Sequence, residues 1–285
     1  MKHSEILEKL ILAIPEIREL LSCESSIYKL LKIINRKEIE NILSAKNKKA
    51  FSFEPFGELI FPYHNMGAVD SLNLFDFDEI ILFSFYWKNR NNYRNALDLG
   101  ANLGLHTIIM SKCGFNVTCY EPDPVHFKIL NGNLKLNHIN NVNANNKAIS
   151  FENGRKEFIR VCGNTTGSHL AGAKQNPYGK LDKFQVEVDA LLPILRDKDL
   201  VKMDVEGHEK DILLNTKAED WAKTDLLVEI ENKENASCIY EHFKKLNINM
   251  FPQKIGWDKA ESVNGMPASY KEGMLFISRK ENMPW

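Results

Sequence analysis

The sequence is poor in cysteine and has no long hydrophobic run, and both shortages narrow the class of protein. Its five cysteines are an odd number without a CxxC pair, so neither a disulfide framework nor a structural zinc site is predicted. The longest apolar stretch, IILFSFYW at 80–87, is far shorter than the ~20 residues of a membrane-spanning helix. Neither sign of charge is in excess, since 37 lysines and arginines face 38 aspartates and glutamates. This balance argues against a nucleic-acid-binding protein.

The first residues also lack the apolar core of a secretory signal, because Glu5, Glu8 and Lys9 interrupt the leucines. With 44% hydrophobic and 26% charged residues, the composition is that of a globular chain with one large domain and an appendage. We therefore expect a reduced, cytoplasmic protein without a membrane span and without a nucleic-acid partner.

The N-terminal region, residues 4–46, has the apolar periodicity of helices, with a kink expected at Pro15 and a break over 22–26. The charged stretch AKNKKA at 45–50 is interpreted as a linker. It divides the chain into a helical appendage, residues 1–50, and a main domain, residues 51–285. The appendage is expected to cover a hydrophobic edge, and its alternatives are contact between copies in a homo-oligomer or a substrate lid.

The main domain alternates strand and helix patterns. A short strand pair is predicted from 51 to 61 and a helix from 78 to 89, and helices are again predicted at 124–137 and 234–246. Apolar β runs occur at 95–99, 115–120, 141–145, 199–203, 225–230 and 273–278. This alternation predicts an α/β fold with a mostly parallel sheet covered by helices on both faces. An inserted β pair at 157–161 and 183–188 flanks a polar loop, 163–180, a usual place for substrate specificity.

The first strand of that sheet runs into a glycine turn, NALDLGANLG at 95–104, and a helix pattern follows. A strand, a glycine turn and a helix in this order let a ligand approach bare backbone at a helix N-terminus. Glu121 ends the next strand, at the ~20-residue spacing where an acidic side chain holds ribose hydroxyls. The pattern therefore predicts a cofactor that contains ribose.

The charge of the turn selects among such cofactors. Gly100 and Gly104 form GxxxG instead of the dinucleotide fingerprint GxGxxG, and Asp98 precedes them. A carboxylate there repels a diphosphate but suits the sulfonium and ammonium of S-adenosylmethionine. The segment NKAI at 146–149 is expected beside the adenine. The predicted cofactor site comprises Asp98, Gly100, Asn102, Gly104, His106, Glu121, Pro122, Asp123, Asn146, Ala148 and Asp204.

Three blocks of sequence resemble the FkbM family of class I S-adenosylmethionine-dependent methyltransferases. They are ALDLGANLGLHT at 96–107, CYEPDPVHFKILNGNLKLN at 119–137 and VKMDVEGHEKDIL at 201–213. The resemblance covers about residues 76–280 and leaves the first 50 residues unassigned. It implies a seven-stranded, Rossmann-like sheet and methyl transfer, most often to a hydroxyl oxygen of a sugar, a glycan precursor or another small metabolite.

The DVEGHE segment supplies the catalytic candidates, because a strand end is where α/β sheets place ligands. His208 is the candidate general base, since its ordinary pKa of about 6.5 lets it accept a proton near neutrality. Asp204 and Glu229 are predicted beside the reacting groups. Ser168, His169 and Glu206 are predicted on the acceptor side, and an ordinary loop histidine is the alternative for His169. No metal is expected, although Asp204, Glu206 and Glu229 could form an oxygen ligand set for Mg²⁺.

Other functions stay open at this level. The acceptor atom could be a phosphoryl oxygen or a nitrogen, and Lys174 and Lys180 in the polar loop could attract an anionic sugar. A nicotinamide-dependent oxidoreductase is disfavoured by the GxxxG spacing. A cofactor-binding partner that has lost catalysis is disfavoured by the intact DVEGHE segment.

Overall fold

The computed structural model describes residues 2–43, 50–174, 177 and 179–285. The helices are α1 (Glu5–Ile17), α2 (Ser26–Ile42), α3 (Phe77–Lys88), α4 (Leu105–Lys112), α5 (Pro124–Leu136), α6 (Leu191–Leu195), α7 (Glu209–Leu213) and α8 (Lys233–Lys245). The strands are β1 (Phe51–Ser52), β2 (Glu58–Leu59), β3 (Asn95–Leu99), β4 (Asn116–Tyr120), β5 (Val142–Asn145), β6 (Ala148–Ser150), β7 (Gly154–Val161), β8 (His169–Leu170), β9 (Leu181–Ala190), β10 (Leu200–Met203), β11 (Asp225–Glu229), β12 (Asn249–Pro252) and β13 (Met274–Ser278).

The two N-terminal helices begin at serine caps. The hydroxyls of Ser4 and Ser25 accept hydrogen bonds from backbone N–H groups in the first turns of α1 and α2. Pro15 lies inside α1, which ends two residues later at Ile17. Of the predicted linker 45–50, only Ala50 is among the described residues.

Both helices pack against α3, and the Ser84 hydroxyl donates a hydrogen bond of 2.5 Å to the carbonyl oxygen of Ile11. Their buried side chains belong to the same hydrophobic core as α3 and one face of the central sheet. The N-terminal helices therefore cover an apolar surface, while the domain boundary at residue 50 stays a prediction. No helix among the described residues is long and apolar enough to cross a membrane.

The central sheet has seven strands in the order β12-β13-β11-β10-β3-β4-β5. Only β13 is antiparallel to its neighbours, and the other pairs are parallel. The predicted α/β fold with a mostly parallel seven-stranded sheet is confirmed. The six predicted apolar runs all form strands of this sheet. The seventh strand, β12, was missed because it is a short edge strand that ends in Pro252, which weakens a strand signal.

Helices cover both faces of this sheet. Side chains alternate along each strand, so that Ala96 packs in the core formed with α1 to α5, and Leu97 in the core formed with α6 to α8. Asp98 on β3 and Lys202 on β10 are partners in the parallel register, and both are buried. Two opposite charges are therefore held side by side within the sheet.

A second sheet, in the order β6-β9-β7-β8, occupies the chain between β5 and β10. Its antiparallel pair β7 and β9 contains the predicted β pair at 157–161 and 183–188 and extends beyond it. Phe158, Leu170, Val186 and Val188 form a small core of their own. The predicted loop 163–180 is partly ordered by β8, and residues 175, 176 and 178 of it lie outside the described residues.

Candidate active site

A cavity of about 640 Å³ opens where β3, β4, β10 and β11 end, and the second sheet contributes part of its wall. The wall contains most of the residues predicted from sequence: Gly100, Asn102, Glu121, Pro122, Asp123, Ala148, Ser168, His169, Asp204, Glu206 and Glu229. Five other predicted residues, Asp98, Gly104, His106, Asn146 and His208, are not part of the wall. These five residues differ from one another in position and in their contacts.

The glycine turn packs against the chain that follows β10 because residue 100 has no side chain. Gly100 has φ +78°, and a β-carbon built there would lie 1.8 Å from the carbonyl oxygen of Asp204. Gly104 instead permits helix packing, since a β-carbon there would lie 2.9 Å from Cγ of Leu130 on α5. Gly104 was predicted to bind the cofactor, but it lies outside the cavity wall and shapes the turn from behind.

Glu121 is held at the cavity by backbone donors. Its Oε2 accepts a hydrogen bond of 2.8 Å from the N–H of Asn102, and its Oε1 accepts one of 2.8 Å from the N–H of Asp123. Burial raises the pKa of Glu121 to about 8, although the two N–H donors oppose this rise. Below this pKa the group keeps a proton, and once it is ionised each oxygen has a further lone pair that can accept a hydrogen bond from a ligand diol.

The neighbouring residues on this side form the frame around Glu121. Asp123 caps α5, and both its oxygens are bound by Arg160, at 2.6 and 2.7 Å. Asn146 was predicted to bind the cofactor, but its amide donates to the carbonyl oxygens of Glu121 and Pro122. Asn146 thus fixes the loop behind the cavity, whereas Ala148 lies in the wall.

Asp98, which was predicted to contact the cofactor, lies outside the cavity wall. The side chain is fully buried, and Oδ2 accepts a hydrogen bond of 2.5 Å from the Thr107 hydroxyl. The electrostatic partner of Asp98 is the ammonium of Lys202 in the adjacent strand. The pleat explains the difference, because Asp98 points to the face covered by α3 and α4 and not past the strand end.

His106 also lies behind the wall. Its Nδ1 is 3.0 Å from the Tyr86 hydroxyl, and its Nε2 is 2.8 Å from Oε2 of Glu79. The charge of His106 lowers the pKa of Glu79 against the effect of burial. Glu79 belongs to the cavity wall, so His106 orients a wall carboxylate instead of contacting the cofactor.

His208, predicted as the general base, is separated from the cavity. It immediately precedes the short helix α7 without a side-chain capping bond, and it is 5% exposed. Nε2 lies 2.9 Å from the Ser150 hydroxyl, and Nδ1 lies 3.3 Å from Oδ2 of Asp211. Both ring nitrogens are thus engaged, which removes His208 from the set of bases that can reach an acceptor.

His169 has the arrangement that was expected of His208. It is 1% exposed and lies in the cavity wall, at the start of β8. Its Nδ1 is 3.0 Å from the carbonyl oxygen of Gly167, and since a carbonyl only accepts, we assign the proton to Nδ1. Nε2 is buried without a partner among the described residues, and burial lowers the pKa of the ring. His169 is therefore a neutral base at pH 7.

Ser168, the neighbour of His169, has a structural contact although it borders the cavity. Its hydroxyl accepts a hydrogen bond from the N–H of Val161 and donates one of 2.8 Å to the carbonyl oxygen of Thr165. These bonds close the turn that carries His169. The predicted substrate contact of Ser168 stays a prediction.

Carboxylates dominate the wall at the ends of β10 and β11. Asp204 lies 3.3 Å from Nζ of the buried Lys202, and Glu206 pairs with Lys174, which also lies 3.1 Å from Glu231. Glu229 makes no hydrogen bond or ion pair with any described side chain. Burial and the charge of Asp204 raise the pKa values of Glu206 and Glu229 well above their ordinary range. Among the described residues, no group of three or more histidine, cysteine or acidic side chains is arranged to hold a metal ion.

Sequence reasoning missed four residues of this site: Glu79, Arg160, Lys202 and Glu231. Lys202 had a usable signal, because a lysine within the buried strand LVKM requires an acidic partner. Glu79 and Arg160 had no such signal in the sequence, because their partners His106 and Asp123 are far from them along the chain.

The wall fits S-adenosylmethionine. Gly100 lies in the wall beside the end of β10, Glu121 offers acceptor lone pairs, and the buried Oδ1 of Asn102 has no partner among the described residues. A mostly parallel sheet with a glycine turn and an acidic second strand end around one cavity is the arrangement expected of S-adenosylmethionine-dependent methyltransferases.

The chain belongs to the FkbM methyltransferase family, whose domain model, described as "Methyltransferase FkbM domain", matches residues 98–252, more than half of the chain. Methyltransferase 1 of Beauveria bassiana is 27% identical over 154 residues, which is 46% of this chain and 62% of that protein. Methyltransferase sdnD of Sordaria araneosa is 27% identical over 161 residues, or 44% and 61% of the two chains. The chain thus spans about three fifths of the length of these curated relatives.

Among solved structures, an O-methyltransferase from Bacillus cereus in complex with SAH is 10% identical, with a TM-score of 0.36 over 68% of this chain and 78% of that chain. The family confirms the predicted cofactor, S-adenosylmethionine.

Proposed function

We propose that the chain is an S-adenosylmethionine-dependent O-methyltransferase that acts on a hydroxyl of a sugar, a glycan precursor or another small metabolite, as in polysaccharide biosynthesis. The observation that carries this proposal is the buried, unpartnered Nε2 of His169 in the wall that also contains Gly100 and Glu121. An alcohol must lose a proton to become a methyl ether, whereas an anionic phosphoryl oxygen needs no base. A preorganised neutral histidine therefore favours a hydroxyl acceptor.

The donor side of the cavity has groups for each part of the cofactor. Glu121 accepts hydrogen bonds from the ribose hydroxyls, and the turn at Gly100 and Asn102 accommodates the methionine portion next to its backbone. Ala148 and Ile149 offer apolar contact to the adenine ring. When bound, S-adenosylmethionine would supply the methyl group, and its carbon–sulfur bond would break to release the neutral thioether S-adenosylhomocysteine.

The residues on the acceptor side position the acceptor hydroxyl and remove its proton. Nε2 of His169 takes the hydroxyl proton as the acceptor oxygen forms its bond to carbon, and Nδ1 keeps its hydrogen bond to Gly167 throughout. Asp204, held by Lys202, accepts a hydrogen bond from the acceptor or from the cofactor ammonium. Alignment of the reacting atoms by these fixed groups supplies much of the rate.

A mass-spectrometric screen tests this function. The protein is incubated with S-adenosylmethionine that carries a trideuterated methyl group and with pools of sugars, nucleotide sugars and hydroxylated metabolites. We expect one pool to gain a labelled methyl ether. A labelled phosphate ester or amine instead would contradict the hydroxyl assignment.

We also propose that copies associate through α2 in a cytoplasmic homo-oligomer. Ile27, Leu30 and Ile33 on α2 are 41%, 56% and 70% exposed, and they follow each other at helical spacing. Free cysteines agree with a reducing compartment. Light scattering of the wild type and of Ile33→Glu tests the association, and a monomer in both would contradict it.

A further inference from the structure

The cavity wall around the ends of β10 and β11 has more carboxylates than cations. Five acidic side chains lie in this part of the wall: Glu79, Asp204, Glu206, Glu229 and Glu231. The lysines that pair with them, within the described part of the chain, are Lys174 and Lys202, and the ring of His106 lies 2.8 Å from Glu79. A bound cofactor adds one net positive charge, because its sulfonium and ammonium are partly offset by its own carboxylate. At least one wall carboxylate is then still without a cation.

Glu229 is the centre of this imbalance. Asp204, Glu206, Glu79 and Glu209 all act on it with the same sign of charge, and together with burial they raise its pKa. Of the described side chains, none forms an ion pair with it. A carboxyl group in these surroundings either keeps its proton or binds a cationic ligand.

An anionic acceptor finds no free cation in the described part of the wall. Lys174 was considered from sequence as a residue that could attract an anionic sugar, but it forms ion pairs with both Glu206 and Glu231. Lys147 lies 2.9 Å from Asp189. A phosphate would thus meet carboxylates at close range, with lysines already neutralised.

A second observation points to a ligand at this wall. His169 is 1% exposed and belongs to the same cavity wall, and its Nε2 has no partner among the described residues. Lys174 also acts electrostatically on His169, so the base and the carboxylates belong to one site.

We infer that the acceptor carries an amino group, protonated at neutral pH, near the hydroxyl that is methylated, and that Glu229 binds this ammonium. The chemical class is an amino sugar or another hydroxylated amine, and not a phosphorylated or nucleotide-linked sugar. This inference rests on the proposed methylation of a hydroxyl and narrows its substrate.

Charge fractionation of acceptors tests the inference. A protein-free small-molecule extract of cells that naturally contain this gene is divided at pH 7 into cation-exchange-bound, anion-exchange-bound and unbound fractions. Each fraction is incubated with the protein and trideuteromethyl-labelled S-adenosylmethionine. We expect the labelled ether in the cation-exchange-bound fraction. A labelled ether in either other fraction overturns the inference and leaves O-methylation intact, whereas label in no fraction overturns the proposed function itself.

A variant separates recognition of the amine from catalysis. With the labelled acceptor in hand, Glu229→Gln should raise its KM at least roughly tenfold and change kcat much less, because the lost charge pair is a binding interaction. Glu241→Gln, on the exposed side of α8, is the matched control. An unchanged KM in Glu229→Gln, with retained binding of S-adenosylhomocysteine, overturns the role of Glu229.

Discussion

A β-carbon on residue 100 would lie 1.8 Å from the carbonyl oxygen of Asp204, so the glycine turn after β3 touches the end of β10 only because Gly100 has no side chain. This contact joins the two segments that characterise the sequence, ALDLGANLG and DVEGHE. The donor side and the acceptor side of the cavity are thereby fixed to each other through backbone.

Gly100→Ala should lower the free energy of unfolding and abolish cofactor binding. The left-handed φ of +78° alone costs an alanine about 1–2 kcal/mol. The clash with Asp204 adds to this cost and moves the turn away from the ligand. Chemical denaturation and calorimetric titration with S-adenosylhomocysteine measure the two effects.

Gly114→Ala is the matched control for this variant. Gly114 has φ +92°, and a β-carbon there meets nothing within 4 Å. Its free energy of unfolding should therefore fall only by the cost of the left-handed backbone, without the cost of a clash. It should bind S-adenosylhomocysteine like the wild type. Equal effects of the two substitutions would contradict the role of the Gly100–Asp204 contact.

The fold was predictable from sequence because the signals that define it are local. Each buried parallel strand is a short apolar run, and the glycine turn and Glu121 follow from spacing along the chain. The strand β12 was missed because an edge strand with a terminal proline has little apolar signal.

The site was predictable only in part, because the direction of a side chain depends on tertiary packing. Asp98 and His208 are in the expected segments, but the pleat turns Asp98 into the sheet, and Ser150 and Asp211 bind the ring of His208. His169 is the better candidate base because of its contact with Gly167 and its burial within the second sheet, neither of which its sequence neighbours reveal.

Lys202→Met should destabilise the protein strongly. Lys202 is 5% exposed and is surrounded by Asp204, Asp98 and Glu79, which keep its pKa raised against the effect of burial. Removing the cation leaves buried carboxylates uncompensated, at a cost of about 3–5 kcal/mol. Urea denaturation gives the change, and Lys245→Met on the exposed side of α8 is the control.

A double variant tests whether Asp98 is the reason for this cost. Asn at position 98 can still accept the hydrogen bond from Thr107, but it has no charge. Asp98→Asn combined with Lys202→Met should therefore be more stable than Lys202→Met alone, by about 1 kcal/mol or more. Additive losses would show that the two register partners do not interact.

Glu209→Gln should flatten the pH dependence of stability. Burial raises the pKa of Glu209 from 4.5 to about 7, although Oε1 accepts hydrogen bonds from the N–H groups of Val205 and Gly207. Between these values the folded protein holds a proton that the unfolded chain has released, so this group's contribution to stability is lost as pH rises from 4.5 to 7.

The measurement is the free energy of unfolding at pH 5 and pH 8. The wild type should lose about 1–3 kcal/mol more than Glu209→Gln between these two values. Glu121, with a pKa of about 8, acts in the same direction, so some dependence remains in the variant. An equal loss in both proteins would show that Glu209 is ionised throughout.

His169→Gln should reduce turnover by about 10²–10⁴-fold, because it removes the base and keeps the volume of the side chain. Since burial lowers the pKa of His169, the wild-type rate should stay constant down to below pH 6.5 and fall only as the ring is protonated. That acidic limb should be absent in the variant, while binding of S-adenosylhomocysteine stays unchanged.

His242→Gln is the control, since Nε2 of His242 is also buried without a partner among the described residues but lies on α8, outside the cavity wall. Full activity in His169→Gln would mean that the acceptor atom needs no base. The assigned acceptor would then be a phosphoryl oxygen and not a hydroxyl.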